Sequence, residues 1–211
     1  MAERIRRRTP RGTLSRPMIL EGASAVIAEK GAQAVTMRAV ATGLGVDPMA
    51  LYRYFDNKAD LLTALVEDAY ERMPVPEGDG LDAFEQIVRG LYQAFVIDRP
   101  GLLDPTLGVS TGRSLEFMDR MLSSLAEAGL PVRSAVALVG NANRFLIGCA
   151  AVQRQPDGWE GSAEFWEQGR RLLAGNQDRY PALSAAIGQA PVFSQQDVLE
   201  SWLEMTLAGF R

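Results

Sequence analysis

Two glycines and a proline set inside an apolar helical pattern restrict this chain's folds more than any other feature. In TMRAVATGLGVDPMALYRYFDNKADLL, residues 36–62, Val40, Ala41 and Leu44 share one helical face and Leu51 and Phe55 another, yet Gly43, Gly45 and Pro48 lie among them. A helix-interior glycine costs about 1 kcal/mol relative to alanine and a proline about 3, so a single continuous helix is excluded. A tight turn is required. Thr36 is placed to cap a short helix, Gly45 to end it, and Asp47 with Pro48 to open the next. Upstream, RPMILEGASAVIAEKG sets Ile19, Ala23, Val26 and Ile27 at helical spacing and stops at Gly31. Three short helices with a glycine turn between the second and third predict a helix-turn-helix, whose third helix is free to enter a DNA major groove.

The remainder reads as helix after helix. Residues 57–73 carry a stripe of Leu61, Leu62, Leu65, Val66 and Ala69 before MPVPEGDG breaks the chain. One helix is expected over Leu81–Arg99, stopped by Pro100, with Phe84, Ile87, Val88, Leu91 and Phe95 on its inner face. SLEFMDRMLSSLAEAG, PVRSAVALVGNANRFLIGCAAVQRQ, SAEFWEQGRRLLAG and SQQDVLESWLEMTLAGF continue the series. The expected fold is all-α: a three-helix helix-turn-helix domain with a basic arm (1–57), a connecting helix and linker (58–80), and a larger C-terminal helical ligand-binding and dimerisation domain (81–211).

Charge divides the same way. Residues 1–60 hold ten basic and six acidic side chains, residues 61–211 twelve and twenty, and the 211-residue chain nets −4. A basic head on an acidic body suits a phosphate-binding unit joined to a domain of another kind. A merely solvated tail is the alternative for the six arginines among the first sixteen residues. With no histidine, an imidazole base, a histidine metal site and a catalytic triad are excluded. No cofactor or metal is expected. The single cysteine, Cys149, stands among apolar neighbours and is read as packing, and its solitude favours a reducing, cytoplasmic setting. The longest unbroken apolar runs fall short of the eighteen or so residues of a membrane span, so no membrane role is expected.

On the third helix Leu51 and Phe55 would face the core, leaving Met49, Ala50, Tyr52, Arg53 and Tyr54 outward. The two phenols and Lys58 suit phosphate oxygens, while the helix start faces base edges. Half-buried surface tyrosines are the other reading.

The run TMRAVATGLGVDPMALYRYFDNKADLL closely resembles the DNA-binding domain of TetR-family transcriptional repressors, with ILEGASAVIAEKGAQAVTM extending the likeness through the first helix. YPALSAAI and VLESWLEMTLAGF resemble, more diffusely, the subgroup with a tetracycline-repressor-like C-terminal domain. The resemblance implies that Thr36 contacts phosphate, that Arg38 reaches a base, that Pro48, Met49 and Ala50 lie where bases are read, and that Tyr52, Tyr54 and Lys58 grip the backbone. Proline, methionine and alanine provide no bidentate hydrogen-bonder, so readout would rest on Arg38, with guanine as its natural partner, and on thymine methyls and DNA shape. It further implies a dimer on a palindromic operator, formed through the helices at 131–155 and 195–210, both apolar nearly all round. The alternative is that these are ordinary core helices. A largely apolar small-molecule inducer is expected among Tyr92, Phe95, Phe117, Met121 and Phe145, with Asn141 and Asn143 as polar contacts, although such aromatic stripes also build plain cores. The family's magnesium–drug chemistry through histidine has no counterpart here. The leading expectation is a ligand-responsive repressor; a helical DNA-binding structural factor without an inducer is the alternative, and no enzyme is expected.

Overall fold

The computed structural model describes residues 14–103, 110–153, 161–189 and 194–210, so the arginine arm lies outside the described residues. Every regular element among those described is helical: α1 (Arg16–Lys30), a 3-10 turn (Ala32–Ala34), α2 (Met37–Leu44), α3 (Pro48–Leu51), α4 (Lys58–Glu71), α5 (Gly80–Tyr92), a π-helical segment (Gln93–Asp98), α6 (Gly112–Glu127), α7 (Val132–Gln153), α8 (Gly161–Leu173), α9 (Pro181–Gln189) and α10 (Gln195–Leu207). The chain groups into two compact units, 1–154 and 155–211.

In the first unit, α1 packs on α2 and α4, and α2 on α3. Ile19, Ala23 and Ile27 of α1, Val40 and Ala41 of α2, Leu51 of α3, and Phe55, Leu61 and Leu65 are all but inaccessible. Burying each of the larger side chains contributes about 1.5–3 kcal/mol. Local chemistry sets the boundaries. Ser15 caps α1 by accepting from the Met18 N–H, and Thr36 caps α2 by accepting from the Ala39 N–H at 3.0 Å. Gly45 ends α2 at φ 68°, where its N–H meets the Thr42 carbonyl and the Val46 N–H the Ala41 carbonyl. That pair of bonds closes a Schellman motif and demands the left-handed conformation glycine adopts without strain.

Two helices differ from expectation. The recognition element is helical only over Pro48–Leu51 and then turns, because the N–H groups of Tyr54 and Phe55 both bond to the Leu51 carbonyl. The helix expected over Leu81–Arg99 becomes π-helical after Tyr92, and the Gln93 amide donates to the Asp98 carboxylate across the wide turn at 2.7 Å. The extra residue per turn points Phe95 at α4, where its ring meets Tyr70 edge-on at 4.9 Å. It also lets Arg99 reach Asp68 and, at 3.4 Å, the Leu65 carbonyl.

α4 packs on α1 and also on α6 and the π segment. The linker after it is held from both sides. The Gln86 amide accepts from the Glu77 N–H and donates to the Glu77 carbonyl, while Arg120 of α6 donates to the Gly78 carbonyl and Glu127 accepts from the Gly80 N–H.

α7 buries one stripe, Ala135, Leu138, Ala142, Leu146 and Ala150, and leaves other apolar groups bare, Val132 at 76% and Val136 at 55% exposure. It is long and apolar enough to cross a membrane by length and composition, which the unbroken-run criterion missed. Arg133, Asn141, Asn143 and Arg144 interrupt it at short intervals.

In the second unit, α8 packs on α9, a helix the periodicity did not single out, with Gly169 close to the Ile187 side chain. α10 opens with Ser194 and Asp197 in a reciprocal capping box; it buries Leu199, Leu203 and Leu207 and leaves Met205 exposed.

Candidate nucleic-acid interface and the cavity behind it

The turn between α2 and α3 presents one polar face. Thr36, Arg38, Met49, Tyr52 and Arg53 are exposed; Pro48, Ala50, Tyr54 and Lys58 are half-buried. Thr36 uses its oxygen to cap α2, which leaves its O–H free to donate to a phosphate. Among the described residues none of Arg38, Arg53 and Lys58 pairs with a carboxylate. Their charge is available to an anion. Asp47 caps α3 through the Met49 N–H at 2.8 Å, and Asn57 caps α4 through the Asp60 N–H at 3.0 Å. Lys58 therefore opens a helix whose first N–H groups already favour negative charge.

One residue departs from its expected role. Tyr54 does not point outward; its hydroxyl donates to the Leu14 carbonyl, which leaves no phenolic proton for a phosphate. Beside it the Arg16 guanidinium lies 4.6 Å above the Phe55 ring. These two contacts fasten the entry to α1 against the segment that follows α3, and neither was legible as a pair at distant sequence positions.

Behind this face, Tyr70, Leu91, Leu103, Ser114, Phe117, Met118, Met121, Val139, Gly140, Asn143 and Leu146 line a partly open cavity of about 160 Å³. Of the expected ligand contacts, Phe117, Met121 and Asn143 line it. Tyr92 and Phe145 instead stack on each other at 6.5 Å, Phe95 packs on Tyr70, and Asn141 is exposed elsewhere on α7. Those four are outside the lining. The lining carries no charged side chain, and its polar groups are the Tyr70 phenol, the Ser114 hydroxyl and the Asn143 amide. Tyr70 sits tilted against Phe117 at 5.3 Å, and burial raises its pKa. It was missed although Leu62, Val66 and Tyr70 repeat at four-residue spacing; Ser114 was missed because it also serves in the Thr111 capping box. Tyr92 is pushed up to about 12 by burial, with the nearby Cys149 adding to the effect, and burial raises the Cys149 thiol as well. A raised thiol holds little thiolate, in keeping with a packing role.

A one-turn recognition element on a three-helix head, joined through a shared helix to a helical body with an aromatic cavity, defines a helix-turn-helix regulator. Residues 19–65 match the family model for bacterial regulatory proteins of the TetR family, and residues 74–211 match the tetracyclin repressor-like C-terminal domain. The chain belongs to the TetR family of transcriptional regulators.

Among curated proteins, it is 27% identical over 199 residues to the HTH-type transcriptional repressor DrrR1 of Streptomyces coeruleorubidus, covering 84% of this chain and 70% of the relative. It is 32% identical over 124 residues to the nucleoid occlusion factor SlmA of Aliivibrio fischeri, covering 55% and 61%. Among solved structures, the TetR family protein ActR of Streptomyces coelicolor in complex with actinorhodin superposes with a TM-score of 0.68 at 21% identity, covering 94% of this chain and 96% of that one. That likeness is one of fold.

Proposed function

We propose that the chain is a cytoplasmic repressor that binds a palindromic operator as a dimer and leaves it when a small molecule enters the cavity of the first unit. The observation that carries this reading is the double membership of α4: Lys58 begins it at the DNA-facing surface, and Tyr70, three turns on, lines the cavity. A ligand that widens the cavity pushes on the helix that holds the head. The lining is neutral and mostly aromatic or aliphatic, so it favours an uncharged, largely apolar ligand with a few hydrogen-bonding groups. At about 160 Å³ the space is small for a drug-sized molecule, and a larger ligand must displace side chains such as Met118, itself half-exposed. ActR's complex with actinorhodin supports a ligand-responsive reading by family likeness.

The bare apolar side of α7 and the exposed Met205 of α10 supply the surfaces through which two copies would pair. Pairing sets the two recognition elements about one DNA turn, ~34 Å, apart or a multiple of it. A DNA-binding factor without an inducer leaves the cavity without a task. Operator binding followed by fluorescence anisotropy, with and without candidate apolar ligands, tests the reading. A ligand that binds free protein more tightly than the operator complex supports it, because coupling between two sites is reciprocal. Equal affinity in both titrations overturns it.

A further inference from the structure

Where α4 ends and the linker begins, the first unit holds a second cleft, of about 420 Å³, walled by the helix end, the linker, α5 and the π-helical segment. Met73, Pro74 and Ala94 give it an apolar lining, and Arg72, Arg89 and Asp98 give it charge. Its walls are tied in place. A Cβ on Gly90 would come within 3.0 Å of the Met73 Cε, so only a glycine lets the linker lie this close on α5. The Gln86 amide holds the linker through both backbone groups of Glu77, and the Gln93 amide holds the π-helical wall by donating to Asp98 at 2.7 Å.

At the end of α4 positive charge is in excess. Asp68 serves two guanidiniums, Arg72 and Arg99, and one carboxylate neutralises only one of them. Arg72 spends its Nε and Nη2 on Asp68, its Nη1 meets no acceptor among the described residues, and its side chain is 59% exposed. A guanidinium engaged side-on in this way can still receive a second carboxylate end-on.

We propose that this cleft is a second ligand site, one that takes a small molecule with an apolar body and a carboxylate received by the Nη edge of Arg72. The assignment goes beyond the operator and cavity reading and depends on neither. The two spaces differ in size and in chemistry. The cavity under Tyr70 is neutral and about 160 Å³, whereas the cleft, at about 420 Å³, carries charged groups on an apolar lining. Its volume falls within the range of about 300–1,000 Å³ usual for small-molecule sites.

The probe is para-benzoylbenzoate, which joins a carboxylate to an apolar benzophenone that inserts into nearby C–H bonds under near-ultraviolet light; its neutral counterpart is para-benzoylbenzamide. Calorimetric titration of the full chain is expected to show the carboxylate binding roughly tenfold more tightly than the amide, the worth of a charge-assisted contact. Arg72→Gln should bring the two probes to equal affinity and Arg72→Lys restore part of the difference, both with unchanged helical content. Mass spectrometry of the photoproduct of the native chain, which needs no variant, should place the label on Met73 or within residues 90–94. Equal affinity of the native chain for both probes overturns the assignment. So does a carboxylate preference that survives Arg72→Gln, or a label confined to Phe117 and Met121 in the other cavity. None of these measurements uses DNA, so the second site can fail while the operator-binding reading stands, and the reverse.

Discussion

The Arg99 guanidinium reaches back 31 positions along the chain to the carboxylate of Asp68, on the α4 helix that links the head to the cavity. Asp68 also meets the Arg72 guanidinium at 3.0 Å, and Arg99 donates to the Leu65 carbonyl at 3.4 Å. Arg99 is nearly buried, so its removal takes from the Asp68 carboxylate its more shielded cationic partner and leaves it the more exposed Arg72. Arg99→Ala is expected to cost about 1–3 kcal/mol in urea unfolding. It should also weaken ligand-driven DNA release relative to ligand binding, which separates a role in transmission from one in stability alone.

Reading and gripping residues should part company in site selection. Arg38→Ala is expected to relax preference at one base pair per half-site, at a cost of roughly 1–3 kcal/mol there, whereas Tyr52→Phe weakens all sequences alike. Unaltered base preferences in the Arg38 variant would falsify the assignment of readout to that residue.

Gly22 and Gly43 make a matched pair. A methyl group on Gly22 would lie 2.9 Å from the Leu44 side chain of α2, and one on Gly43 would meet open space. Gly22→Ala is therefore expected to destabilise by about 1–3 kcal/mol through overpacking. Gly43→Ala, in the last turn of α2, should instead stabilise, by less than the ~1 kcal/mol of a helix-interior exchange, through helix propensity. Thermal melts of the two variants should move in opposite directions.

Alkali, and not mild acid, should be the pH lever on stability. Tyr92 is raised from 10.0 to about 12, so its stabilising contribution is complete below pH 10 and is lost as pH climbs through 12. No histidine is present to titrate between about pH 5 and 8. Denaturant midpoints should stay nearly level across neutrality and fall in strong alkali, with late-ionising tyrosines visible in the ultraviolet difference spectrum. A steep change near pH 6.5 would contradict this.

Pairing through α7 predicts that Val136→Glu, on the bare side of that helix, leaves the helical content intact but shifts sedimentation from dimer to monomer. Operator affinity should fall with it, because two linked heads gain from effective concentration. A variant that remains dimeric would move the interface elsewhere.

Much of the head was legible because punctuation residues act locally: Thr36, Gly45, Asp47 and Pro48 cap or end helices through bonds spanning two to five residues. The cavity was only partly legible. Phe117, Met121 and Asn143 stand out on their own helices, but Tyr92, Phe95 and Phe145 look the same in sequence and differ only in which neighbour each ring meets. The π-helical segment left no trace in the periodicity, because the contacts that accompany it, Phe95 with Tyr70 and Arg99 with Asp68, lie at distant sequence positions. Tyr54 was misjudged for a related reason. Its partner carbonyl comes from another helix's entry, and a backbone acceptor carries no sequence signal.

The recognition helix is a single turn, Pro48–Leu51, and a helix that short has no stability of its own in water. It persists because Leu51 and Phe55 are fixed in the head's core, so at any moment only the fraction of molecules with that core in place can engage an operator. Measured affinity is the intrinsic affinity multiplied by that fraction. A substitution that loosens the seat of Leu51 without touching DNA will weaken every site in equal proportion and leave the order of preferred sequences as it was.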